Sequence, residues 1–158
     1  MAANGIMYRV WFDNQSITNA AQDIIVMAAA AAIPILVHSV KLTISPTITS
    51  GVAQDVRAQL RWLARTTAGS GGSAVTPTAV NPRNTLAAAG TYTQLRTTPG
   101  TAGTQGNGEL VSIIVPYERV FTADQRFVIP GGTSWALNLE AGLGAAYSAS
   151  LEAYVEEI

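Results

Sequence analysis

The sequence predicts an all-β domain, a sandwich or barrel of about eight or nine short strands, and three observations carry that expectation. Segments rich in β-branched and aromatic residues, alternating with a period of two, recur along the 158 residues. Gly, Pro and Asn cluster between them, where a chain must turn. Both ends read as strands and composition does not shift between the halves, so one domain is expected over residues 1–158.

Taken in order, "MYRVWFD" (Met7–Asp13) is aromatic and β-branched and fits a half-buried pleated surface. After the polar turn "NQSITNAAQ" comes the apolar strand "DIIVMAA". "PILVHSVKLTIS" then alternates, with Leu36, His38, Val40, Leu42 and Ile44 on one face and Val37, Ser39, Lys41 and Thr43 on the other. "AQDVRAQLRWLART" is ambiguous. As a helix it aligns Val56, Leu60 and Leu63 in one stripe and Arg57, Arg61 and Arg65 in another. As a strand it turns Val56, Ala58, Leu60, Trp62 and Ala64 inward and the arginines outward. The strand-rich surroundings favour a strand from Ala58 on. Residues 66–108 are polar and rich in Gly, Ser, Thr and Pro, and read as a long loop excursion in which "TYTQLRTT" has the character of a short strand. Strand character returns in "ELVSIIVPYERV", "QRFVIP" and "WALNLEA". It ends in "SASLEAYVEE", which turns Ala149, Leu151, Ala153 and Val155 inward and closes on Glu156 and Glu157 as a solvated tail. Residues 1–6 read as an N-terminal arm.

The totals narrow the function. Apolar residues make up 48% of the chain, 26 of them alanine, while charged residues make up only 12%, about half the usual share. A small monomer normally covers itself with more charge, so burial between subunits is one reading and a Thr/Ser-rich β surface the other. The net charge of −1 supplies no field that would draw in nucleic acid or anionic lipid. Eight of the nine basic residues are arginine, which suits ordered contacts. Without cysteine there is no disulfide or thiol chemistry. The N-terminus lacks the pattern of a signal peptide, and the apolar run Ile24–Val37 is too short, and interrupted by Pro34, to span a bilayer.

Chemistry is sparse. The single histidine, His38, falls on an apolar strand face and reads as a core residue; without a second histidine or a cysteine it builds neither a nucleophile triad nor a nitrogen or sulfur metal site. Asp13, Asp23 and Asp55 stand singly near turns, where side-chain caps are the ordinary role. "GSGGSAVTPT" resembles a phosphate cradle only in its glycines: no lysine follows, and Thr-Pro starts no helix. No enzyme, cofactor or metal is expected. Arg57, Arg61 and Arg65 form the densest positive feature, read either as a solvated face or as a contact for an acidic neighbour. They lack the interleaved aromatics of a nucleic-acid platform.

Three stretches carry a resemblance: "YRVWFDNQSITNAAQDIIVMAA", "LRWLARTTAGSGGSAVTPTAVNP", and "RFVIPGGTSWALNLEAG" followed by "SASLEAYVEEI". In this order, over most of the chain, they are similar to the small jelly-roll decoration (cement) proteins of tailed bacteriophages. The segment "VPYERVFTADQ" departs from that pattern. The resemblance implies a single-domain jelly roll or β-sandwich of about eight strands with a long central Gly/Ser/Thr/Pro-rich loop. It implies a homotrimer on the outer surface of the phage head, made in the host bacterial cytoplasm and binding the major capsid protein, with no catalytic role. The assembly contacts expected on this reading are Ala2 and Asn4 in the arm, Arg57, Arg61 and Arg65, and Ser70, Gly71, Gly72 and Pro77 in the loop. The alternatives are another phage structural module or a glycan-binding jelly roll, for which Tyr92, Tyr147 and Tyr154 are the candidate aromatics.

Overall fold

A computed structural model describes residues 5–18, 20–46, 57–113, 115–140, 143 and 147–158. Twelve strands form two six-stranded sheets packed face to face, and the described residues contain no α-helix. The strands are β1 (Ile6–Ile17), β2 (Gln22–Ala28), β3 (Ile35–Pro46), β4 (Arg57–Arg65), β5 (Ser73–Val75), β6 (Thr78–Ala79), β7 (Thr91–Arg96), β8 (Ala102–Ser112), β9 (Tyr117–Val120), β10 (Phe127–Ile129), β11 (Ser134–Leu139) and β12 (Tyr147–Glu157). One sheet runs β10-β3-β12-β1-β6, with β9 also on β3; the other runs β5-β7-β2-β11-β4-β8. They are called sheets A and B below.

The pairing is nested. The first strand pairs with the last (β1 with β12), β2 with β11, β3 with β9 and β10, and β4 with β8, all antiparallel. A long hairpin rolled so that successive strand pairs alternate between two sheets is a jelly roll. β9 and β10 share one edge of β3 end to end, against Ser39–Leu42 and Ile35–Val37, so they are two pieces of one strand position. The strand count is therefore twelve rather than about eight, because that position is split and β5, β6 and β7 are added between β4 and β8.

β7 is the short strand expected in "TYTQLRTT", while β5, β6 and the start of β8 correct the reading of the rest of residues 66–108 as a loop. β7 pairs with β2, β5 with β7, and β6 with β1, and the first seven residues of β8 pair along β4. Local pattern hides all of these but β7: β5 and β6 are three and two residues long, and "AGTQGNG" has no apolar alternation. Their strand state comes from partners supplied by the jelly roll. Of the expected arm, Ala2 and Asn4 lie outside the described residues, and Ile6 already pairs with Glu157.

The core forms as alternation dictates. β12 alternates buried and half-buried along its whole length, with Ala149, Leu151, Ala153 and Val155 inside. β4 is a strand and not a helix, with Ala58, Leu60 and Trp62 in the core. Trp62 anchors an aromatic cluster, its ring 4.9 Å from Phe127 and 6.5 Å from Phe121, with Trp135 5.0 Å from Phe127 on the other side. Edge-to-face and tilted pairs of this kind contribute about 0.5–1.5 kcal/mol each beyond their burial.

His38 corrects a second expectation. A bulge opposite Tyr154 and Val155 makes His38 the extra residue between Val37 and Ser39. Val37 rather than His38 takes the core position, and His38 lies half-buried with Nε2 2.8 Å from Glu156. A bulge reverses which side chains face in beyond it, and a simple period of two cannot register one.

Candidate assembly surfaces

The Gly/Ser-rich stretch is an ordered strap. From the end of β4 the chain must reach β5 on the far side of β7, and after β7 it must return to β8 beside β4. The outgoing and returning segments run antiparallel and bond to each other. Thr66 N donates to Thr101 O (3.0 Å), Ser70 N to Thr98 O (2.9 Å) and Thr98 N to Ser70 O (3.2 Å), and the hydroxyls of Thr67 and Thr101 are 2.8 Å apart. The approach needs glycine: a Cβ on Gly69 would sit 2.3 Å from Thr98 O, and one on Gly100 2.0 Å from Thr67 O. Gly71 and Gly72 turn the strap into β5 at φ 75° and 78°, a region open to glycine. Ser70, Gly71 and Gly72 are exposed on this strap. Pro77 is half-buried in the link that carries the chain from β5 at the edge of sheet B to β6 at the edge of sheet A.

The three arginines part company. They lie four residues apart along β4, on the face of sheet B turned away from the core, and only Arg57 is exposed. Arg61 is ion-paired to Glu140 at 3.0 Å. Arg65 is buried, its side chain 3% accessible, and it donates to Asp23, itself fully buried, and to Gly100 O at 2.9 Å in the strap. Asn138 Nδ2 donates to the same Asp23 oxygen (2.8 Å) and to Gln22 O (3.1 Å). Asp23 is thus the buried counter-ion of Arg65 and not a turn cap. The network is incompletely satisfied: Asp23 Oδ2, Arg65 Nε and Gln22 Nε2 are buried without a partner among the described residues. Val26, Leu63 and Ala136, on the same outer face, are also buried, so the chain itself covers the middle of this face.

Glu157 is a second carboxylate drawn inside. It accepts the backbone N–H groups of Ala89 and Gly90, both at 2.8 Å, and faces the Tyr92 hydroxyl at 3.4 Å, tying the loop that leads into β7 to β12. The expected solvated tail is therefore a buried anchor. Burial, and then the Glu157 carboxylate, push the Tyr92 phenol far above its ordinary value and raise Tyr8 as well. Tyr117 is raised by burial first and then by Glu109. Tyr92 and Tyr147 belong to the core, which removes them as glycan contacts.

The outer face of sheet A is the exposed one. Register aligns three rows across β1, β12, β3 and the β9/β10 edge: Met7–Glu156–Leu36–Val128, Arg9–Tyr154–Ser39–Val120 and Trp11–Glu152–Lys41–Glu118. Trp11 is 47% exposed, Val120 60%, Val128 44% and Met7 37%. The Arg9 guanidinium lies 5.2 Å from the centre of the Trp11 ring and binds Glu152 at 2.5 Å, and Glu152 also accepts from Tyr154 OH at 3.1 Å. A cation stacked on an exposed tryptophan, held by a carboxylate that a tyrosine also binds, forms a stiff amphipathic plate. Reading "YRVWFD" as a strand already puts Arg9 and Trp11 on one face; their partners on β12 required the sheet. Among the described residues no group of three or more His, Cys, Asp or Glu could hold a metal ion. No family model, curated protein or solved structure matches the chain.

Proposed function

We propose that this chain is a non-enzymatic virion structural protein, a decoration protein that binds the outside of a tailed-phage head as a homotrimer and holds neighbouring major-capsid subunits together. The observation that carries the assembly part of this reading is the outer face of sheet A. Trp, Tyr, Arg and Met are the residue types enriched where protein surfaces meet, and here Trp11, Tyr154, Arg9 and Met7 lie on one face with exposed Val120 and Val128 at its side. Arg9 is held by Glu152 and stacks on Trp11, and Tyr154 donates to the same Glu152, so these three side chains lose less entropy when a partner arrives. The sandwich is a stiff carrier for such a plate, since its contacts are dominated by pairings distant in sequence. The phage-head partner and the trimer rest on the sequence resemblance.

The test is hydrodynamic and then biochemical. Light scattering on the purified chain should give three times the 16.5 kDa chain mass. The trimer should co-sediment with intact phage heads that lack it. A stable monomer at micromolar concentration, or a trimer that stays in the supernatant, would refute the reading. A glycan-binding role is the second reading. It is favoured by a shallow cavity of about 320 Å³ in which Trp11 sits among Asp13, Lys41, Ser150 and Glu152. Saccharide binding that is lost in Trp11→Ala while the trimer survives would establish it in place of the first.

A further inference from the structure

We propose that sheet B carries a binding groove for an extended acidic peptide segment of a partner protein. The groove, about 830 Å³, lies between the strap and the turn that joins β10 to β11. That volume lies within the range of pockets that enclose small ligands. Val26 and Ala28 from β2 and Ser134 from β11 line it, Thr67 comes from the strap, and Arg65 and Arg96 are its charged members. The other lining residues are small, hydroxylic or apolar, and none carries a carboxylate.

The charge is unbalanced in a defined way. Asp23 neutralises Arg65, and Arg65 keeps its buried Nε–H without a partner. Arg96, half-buried at the end of β7, has only a long 3.4 Å contact to the Thr93 hydroxyl, and among the described residues it forms no ion pair. The groove therefore holds one uncompensated guanidinium in a partly desolvated setting, where a carboxylate gains most from a charge-assisted bond. Its small walls leave room for a peptide backbone; the hydroxyls of Thr66, Thr67, Thr133 and Ser134 already donate within the chain and can accept from that backbone's N–H groups, and Thr91 lines the groove beside them. The strap exists only through the close approach at Gly69 and Gly100, so the groove belongs to the fold and not to a surface irregularity. The inference uses residues on the opposite sheet from the plate around Trp11 and does not depend on the phage-head reading.

Amide-resolved NMR on the full chain tests it, with three probes: acetyl-Ala-Glu-Ala-Glu-amide, acetyl-Ala-Gln-Ala-Gln-amide and sodium acetate. The Glu peptide should give saturable shifts at Thr67, Arg96 and Ser134, and should bind about tenfold more tightly than the Gln peptide. Arg96→Gln should abolish that preference, Arg96→Lys should restore part of it, and Arg83→Gln, at an exposed position off the groove, should leave it unchanged. The proposal is overturned if the two peptides bind alike or no saturable shift appears. It is equally overturned if the shifts map to sheet A, or if acetate binds as tightly as the Glu peptide, which would mark a site for free carboxylate only.

Discussion

The buried Asp23–Arg65 pair yields the sharpest prediction, because removing a buried arginine costs several times more than removing an exposed one. Replacing Arg65 with Met leaves the Asp23 carboxylate in a fully buried position with Asn138 as its remaining side-chain donor. Replacing Asp23 with Leu leaves a 3%-accessible guanidinium with only Gly100 O as acceptor. Stranding one buried charge costs about 3–5 kcal/mol, so each single variant should lose that much, whereas an exposed arginine would cost less than about 1 kcal/mol. The double variant removes both charges together with the unsatisfied Asp23 Oδ2 and Arg65 Nε. It should cost no more than either single variant, a coupling of at least about 3 kcal/mol in a double-mutant cycle. Urea unfolding followed by tryptophan fluorescence measures all four proteins. Additive losses, or an Arg65→Met variant as stable as the parent, would refute the burial argument.

Three further outcomes are expected. The raised phenols of Tyr8, Tyr92 and Tyr117 mean that the fold holds the neutral form. Their stabilisation is complete below the unfolded-state value of about 10 and falls as pH rises beyond it, for Tyr92 by about 1.4 kcal/mol per pH unit because its phenol is raised furthest. Urea midpoints at about pH 9 and about pH 11 should show that fall, and Tyr92→Phe should remove the largest share of it; a midpoint indifferent to pH would contradict the assignment. Gly100→Ala should open the strap at a cost of about 2–4 kcal/mol and speed hydrogen exchange at Ser70 and Thr98, whereas retained protection there would show that the close approach is not required. Trp11→Ser should change the stability of the fold by less than about 1 kcal/mol yet weaken self-association by about 2 kcal/mol or more in sedimentation equilibrium. Equal effects on both would make Trp11 a folding residue.

Much of the architecture is legible in the residue pattern. β1 and β12 follow from alternation alone, because a half-buried strand must place apolar residues at every second position, and β4 from alternation together with its strand-rich surroundings, which decide against a helix. β2 is also legible, though by its continuous apolar run, since both of its faces are covered. The candidate surfaces are legible only in part. Trp11 and Arg9 share a face in any strand reading of "YRVWFD", but the exposure of that face depends on which sheet surface the strap crosses. Arg57, Arg61 and Arg65 are equivalent in the pattern, and the same alternation that places them together gives no hint that Arg65 turns toward Asp23.

Spacing between near neighbours carries the all-β class, the apolar core and the inward residues of the long strands. The bonding of the Gly/Ser strap, the bulge at His38 and the burial of Asp23, Arg65 and Glu157 arise when the two sheets assemble. Each of these depends on a partner far along the chain: Thr98–Thr101 for the strap, Tyr154 and Val155 for the bulge, and Ala89, Gly90 and Tyr92 for Glu157. A charge or a glycine has the same local pattern whether solvent or a distant strand lies against it. Its state is set by long-range pairing, which local periodicity does not encode.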